Sequence, residues 1–186
     1  MVSRFLVIGT IAVLLTACGG DKGGSSCKQD YWDGERFGTC LPDDWIVIDT
    51  ETLRQRGVPD DTLVAFQSDV PVAGQFPTVS LTWEPLAQVV KPADYSAANI
   101  RSVGVFPGYK QVDARDIRID DEKLTLHIFT AQPVSDEPLH RYYQVSTVIG
   151  SDGYTLTATT PVSVDDDLEN QILLIMRNAT FEIPEE

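Results

Sequence analysis

The sequence predicts an α+β domain, and three observations lead there. Val79, Leu81 and Trp83 alternate with Ser80 and Thr82, while Tyr154, Leu156 and Ala158 alternate with Thr155, Thr157 and Thr159. That period of two is what a half-buried strand requires. Leu168, Ile172 and Ile175 recur instead at helical spacing, with Leu173 and Met176 beside them, so this segment buries one stripe of a helix. Between residues 109 and 160 four strand-length runs follow one another across short polar corners, the pattern of a meander. The chain has 186 residues. No internal repeat or composition break divides residues 27–186, which read as one domain.

Residues 1–17 fall into three zones. Arg4 gives a basic start, residues 5–15 are apolar apart from Gly9 and Thr10, and Thr16 and Ala17 are small. An apolar run of about 11 residues is short of the about 20 that a helix needs to span a bilayer. The combination is an export signal rather than a membrane span. Leu15-Thr16-Ala17-Cys18 resembles the bacterial lipobox. The resemblance implies a thioether-linked diacylglycerol on Cys18, cleavage after Ala17, and acylation of the new amino terminus. Only a thiol forms that thioether. Two or three acyl chains hold a protein firmly, since each buried methylene contributes ~0.8 kcal/mol and one chain alone is marginal. Gly19 stands where an Asp tends to mean inner-membrane retention, so the resemblance implies the outer membrane, facing the periplasm, in a cell with two. The competing readings are an ordinary signal peptide with a spare cysteine and a buried N-terminal helix. Residues 18–26 then form the lipidated cysteine and a Gly/Ser tether, a flexible coil whose eight residues after Cys18 span roughly 16 Å.

The net charge is −14, and cleavage removes only Arg4 from the charged residues. Such a chain is unsuited to nucleic acid or to a basic patch on anionic lipid. Its acidity reads as solubility or as a cationic partner. Three cysteines divide naturally: Cys18 takes lipid, and Cys27 and Cys40 remain as a pair in an oxidising compartment. A disulfide closing that loop contributes about 3 kcal/mol. Two free thiols are the alternative. A metal pair fits poorly, because the spacing is wrong and no histidine is near.

Along the folded part, residues 35–41 read as a strand. Asp43-Asp44-Trp45 is a turn that plants an aromatic in the core. Asp49 or Thr50 caps a short helix to about Arg56, with Glu51 favourably placed at the positive end of its dipole. Gly57 ends that helix and Pro59-Asp60-Asp61 is a loop. Residues 63–67 and 78–83 are strands around a Pro/Gly-rich connection. Pro92 suits the first turn of a second helix reaching about Val103, with Tyr95, Ala98 and Ser102 along one face. Residues 109–119, 123–132, 141–149 and 154–160 are the meander. Asp120-Asp121-Glu122 turns its first corner, and Gly150-Ser151-Asp152-Gly153 its last, with glycines free to take positive φ. Pro161 stops the last strand. Asp165-Asp166-Asp167 opens a closing helix to about Met176, and residues 180–183 suit a short edge strand.

This order of elements resembles the PsbP-like fold. Cys40-Leu41-Pro42-Asp43-Asp44-Trp45 is similar to that family's strand followed by Pro-x-x-Trp. Residues 150–157 are similar to its late hairpin, and residues 165–181 to its final helix and short strand. The resemblance implies a central antiparallel β-sheet with helices packed on its faces, an α/β/α sandwich. The family includes photosystem extrinsic subunits, a nuclear transport factor that binds a small GTPase, and bacterial lipoproteins. They are mostly binding or assembly modules without a shared catalytic residue, so fold alone does not give function.

Signatures of chemistry are sparse. His127 lies in a strand, and His140 precedes the next; a paired hairpin would make them cross-strand neighbours and a possible metal or general-base pair. No Gly-x-Ser-x-Gly elbow occurs. The acidic clusters at Asp43-Asp44, Asp60-Asp61, 120–122 and 165–167 lack the spaced oxygens of a calcium loop. Tyr142 and Tyr143 are adjacent on a strand and point to opposite faces, one into the core. Tyr31 and Trp32, inside the Cys27–Cys40 loop, are the candidate partner contacts. The expectation is therefore a membrane-anchored envelope lipoprotein, non-enzymatic and without a cofactor or metal, that binds an envelope protein or assists assembly. The alternatives are a small-ligand or calcium binder and, below it, an envelope hydrolase.

Overall fold

The computed structural model describes residues 26–182. The expected export signal at 1–17, Cys18 with its expected lipid, the expected tether up to residue 25 and Ile183 lie outside them. Nine strands and three helices follow in order: β1 (Gln29–Trp32), β2 (Gly38–Leu41), β3 (Trp45–Ile48), α1 (Thr50–Gln55), β4 (Thr62–Ser68), β5 (Thr78–Pro85), α2 (Pro92–Val103), β6 (Lys110–Ile119), β7 (Glu122–Ala131), β8 (His140–Ile149), β9 (Asp152–Pro161) and α3 (Asp166–Arg177). β1 and β2 form a separate hairpin. The other seven strands form one antiparallel sheet in the order β3-β4-β5-β9-β8-β7-β6. Two meanders thus meet where β5 pairs with β9, and α2 carries the chain from the centre to the far edge.

The alternation of apolar side chains decides which face each helix covers. Val79, Leu81, Leu124, Leu126, Ile128, Tyr143, Val145, Tyr154, Leu156 and Ala158 point to one side. There they meet Phe37 and Leu41 of the hairpin arm and the stripe Leu168, Ile172, Leu173, Ile175 and Met176 of α3. On the other face α1 covers Ile48 and Ala65 with Leu53, and Val103 of α2 packs with Phe129 and Ala131. Tyr143 is fully buried in the main core while Tyr142 packs under α2, as adjacent strand residues must divide.

Local chemistry sets the helix ends. Asp165 Oδ1 accepts from the Leu168 N–H at 2.9 Å, and Asp49 Oδ1 from the Thr52 N–H at 2.8 Å; both cap otherwise unpaired donors. Pro92 occupies the first turn of α2. Trp45 is 4 % exposed, and its indole N–H donates to Gln171 Oε1 of α3 at 2.7 Å. Arg115 of β6 and the Tyr143 hydroxyl both bind the Glu169 carboxylate and clamp α3 to the sheet.

Several expectations need correction. The strand expected over 35–41 starts only at Gly38, because Asp33 Oδ1 accepts the N–H groups of Glu35, Arg36 and Phe37 and bends that stretch into the hairpin tip. β1 and β3 were not anticipated: each is four residues long, too short for periodicity to register. The edge strand at 180–183 is reduced to one bridge, Thr180 with Gly38. On α2, Tyr95, Ser96 and Val103 are buried, whereas Ala98 and Ser102 are exposed.

Candidate functional site

The end of the β1–β2 hairpin stands over the α3 side of the sheet near its β3 edge. Between hairpin tip and sheet lies a cleft of about 560 Å3, lined by Tyr31, Asp33, Glu35, Arg36, Asp49, Asp60 and Trp83 among others. Tyr31 forms part of its floor and packs edge-on against Phe66, with ring centroids 5.1 Å apart. Burial, with the Asp33 charge adding to it, raises the Tyr31 hydroxyl pKa above its ordinary value and keeps it neutral. Trp83 Nε1 is buried without a hydrogen-bond partner.

Four carboxylates border this cleft, and two of them are anchored by one oxygen. Asp33 uses Oδ1 for the hairpin tip and Asp49 uses Oδ1 for the α1 cap, which leaves their second oxygens available. The cap hydrogen bonds hold the Asp49 pKa below the usual carboxylate value, so it is ionised. Glu35 faces Arg36 at 3.4 Å and Asp60 faces Arg54 at 3.5 Å. These are exposed pairs that solvent screens. β3 beside the cleft is a sheet edge, with Ile46 51 % and Val47 37 % exposed. Charge, aromatic floor and open edge together suit an extended segment carrying basic groups.

The residues singled out in the sequence divide between sites. Tyr31 enters the cleft, while Trp32 lies on the other face of the hairpin, over Gly38, in a hollow of about 280 Å3 that Cys27, Tyr31, Cys40 and Thr180 also border. They are therefore not one surface pair; both are half-buried. Cys27 and Cys40 are joined, with Cα atoms 5.6 Å apart, within disulfide range. Their sulfurs and the Asp30 carboxylate form the one group of possible metal-ligating atoms within 4.8 Å among the described residues. Bridged sulfurs offer no thiolate, so this group does not fit a metal.

His127 and His140 are not brought together. His127 pairs across the strands with Gln144, and His140 with Ala131. His127 is 1 % exposed, its Nε2 lies 3.1 Å from the Tyr109 hydroxyl, and its Nδ1 has no partner. Burial lowers its pKa, and its hydrogen-bond partner is a phenol and not an acid. The arrangement lacks the acid that orients a general base. The acidic clusters serve the fold: Asp165 caps α3, Asp120 accepts from the Phe181 N–H, and Asp43 pairs with Lys28.

A second cleft of about 450 Å3 lies on the opposite face beside α2, lined by Asp61, Thr82, Glu84, Asn99, Ser102, Phe106, Gln144, Thr155 and Thr157 with Trp83 and Tyr95. The alternating threonines of β9 marked one polar face of that strand, and Thr155 and Thr157 of that face line this cleft. The acids of the first cleft were not, since residues 33, 49 and 60 meet only through the fold.

No protein-family model matches the sequence, and no curated protein matches it. Solved structures do share the architecture. LpqN, involved in cell envelope biogenesis of Mycobacterium tuberculosis, aligns with a TM-score of 0.57 at 15 % identity over 87 % of this chain and 86 % of its own. Cyanobacterial PsbP from Synechocystis sp. PCC 6803 aligns with a TM-score of 0.56 at 13 % identity over 90 % of this chain and 99 % of its own. The fold is PsbP-like. At this identity the likeness is one of architecture, and the two clefts of this PsbP-like domain are read from its own residues.

Proposed function

We propose that this protein is a lipid-tethered, non-catalytic binding module of a bacterial cell envelope that engages a partner protein through a cationic segment. The observation that carries the reading is the acidic, aromatic-floored cleft at the hairpin tip. The export signal and lipobox-like Cys18 support the location, and the disulfide pair supports an oxidising compartment. That LpqN is involved in cell envelope biogenesis accords with it. The tether enters the fold at Cys27, on the same hairpin whose Tyr31, Asp33 and Glu35 wall the cleft. A membrane partner and the anchor would thus meet on one arm of the molecule.

Two measurements test this. In native envelopes, a photo-cross-linker replacing Glu35 gives one reproducible protein adduct, and the same group replacing Val162 does not. Glu35→Lys with Asp60→Lys abolishes the adduct formed from a cross-linker at Val47. Adducts that are absent, or indifferent to charge reversal, sink the reading. Separately, Cys18→Ser moves the protein from the membrane to the soluble fraction; continued membrane attachment removes the lipid anchor.

A further inference from the structure

The middle strands carry hydroxyls and amides on their α2 face, where a covered sheet carries aliphatic side chains. Cross-strand partners line up in rows. Thr82, Thr155 and Ser146 form one, and Ser80, Thr157 and Gln144 the next. α1 packs over β4, and α2 over β7 and β8. The strip of β5 and β9 between them is the floor of the 450 Å3 cleft, a size usual for small-ligand sites.

Part of this polar surface is spent on the fold. Asn99 Nδ2 donates to Thr155 Oγ1 at 3.3 Å, Ser146 Oγ and Thr155 Oγ1 are 2.9 Å apart, and the Tyr95 hydroxyl donates to Glu84 Oε1 at 2.8 Å. These bonds fix the walls. One acceptor is left over: Gln144 Oε1 is buried without a partner. The Thr157 hydroxyl and the exposed Asp61 and Glu84 carboxylates line the same cleft. A buried acceptor left unpaired costs free energy that a ligand donor recovers.

The lining includes no Lys, Arg or His. Two carboxylates and two amide oxygens make it rich in acceptors, and they repel an anion. Hydroxyl and amide N–H groups supply donors as well, so the surface matches groups that both give and accept. Ring hydroxyls of a sugar do both, and the C–H face of a pyranose packs on an aromatic such as Phe106, which is 37 % exposed. We propose that this cleft binds a neutral saccharide of one or two rings. The site is on the face opposite the acidic cleft, and it stands or falls independently of the partner-binding reading.

Calorimetry on the mature chain tests it with N,N′-diacetylchitobiose, cellobiose and maltose, and with glucuronic acid and spermidine as counter-probes. At least one neutral disaccharide should bind with a Kd in the millimolar range or tighter, and glucuronic acid should not. Thr157→Val keeps the side-chain shape and removes one hydroxyl, and Asp61→Asn removes a charge on a loop. Each should weaken binding about tenfold with the melting temperature unchanged. Ser102→Trp, on the exposed side of α2, should close the cleft and abolish the heat. The proposal is overturned if no neutral disaccharide gives heat up to about 10 mM, if spermidine alone binds, or if the three variants bind like the wild type.

Discussion

Gly153 shows how one residue fixes a helix. Its φ is ordinary, and its lack of a side chain is what matters. A Cβ there would lie 2.5 Å from Tyr95 Cζ, and Tyr95 is 8 % exposed with its hydroxyl tied to Glu84. Gly153→Ala therefore pushes Tyr95 and the start of α2 off the sheet. We expect a loss of about 1–3 kcal/mol in denaturant unfolding, and little change if Tyr95→Ala is already present. His127 gives a pH signature. Its folded pKa is lowered by burial, so the unfolded chain takes up the proton first. Its stabilising contribution is complete above the unfolded value of about 6.5 and declines as pH falls below it. Unfolding midpoints at pH 7.5 and 5.5 should differ more for the wild type than for His127→Asn; equal differences count against a neutral buried imidazole. The groups facing it are the phenol of Tyr109, the ring of Phe129 and the amide of Gln144.

At the scale of elements, caps and corners hold the layers in place. Asp165→Ala deprives the first turn of α3 of an acceptor and should cost about 1 kcal/mol, read from the unfolding midpoint; Asp165→Asn should retain most of it. The β6–β7 corner turns on Asp120 and Asp121, both at positive φ, at 47° and 62°. That is the backbone of a two-residue hairpin loop, and Asp tolerates it less well than Gly. Asp120 is kept there by its bond to the Phe181 N–H at 2.6 Å. The hairpin arm is closed on itself by Cys27–Cys40 and tied to the body by the Gly38–Thr180 bridge and by the Thr39 hydroxyl, which donates to the Ile175 carbonyl at 2.6 Å. Replacing both cysteines by serine should lower stability by about 3 kcal/mol. It should also loosen the acidic cleft before the sheet opens, which hydrogen exchange at residues 29–41 would register; uniform exchange across the chain would deny the arm that separate status.

For the molecule as a whole, the charge and the two clefts give the expected behaviour in solution. Partner binding at the hairpin end should weaken with salt, because exposed charges are screened within about 10 Å at 0.1 M. Calcium should give no calorimetric heat, since Asp165, Asp120 and Asp43 are held in a cap, a backbone bond and an ion pair and the acidic turns lack the spaced oxygens of a calcium loop; a measurable heat would restore the ion-binding alternative. Most of the architecture was legible in local pattern. Period-two alternation, helix caps and turn residues are short-range physics, so α2 was located at both ends and the meander in its order. Trp45 was placed in the core by its turn. By itself the sequence determined an α+β architecture, a cysteine pair at disulfide spacing and an acidic chain. Only the tertiary structure decided which carboxylates share a cleft, that Tyr31 and Trp32 part to opposite sides, and that His127 meets Gln144 and not His140. The reason is that those relations depend on strand register and layer packing between residues far apart in the chain, and no local pattern encodes a distance across a sheet.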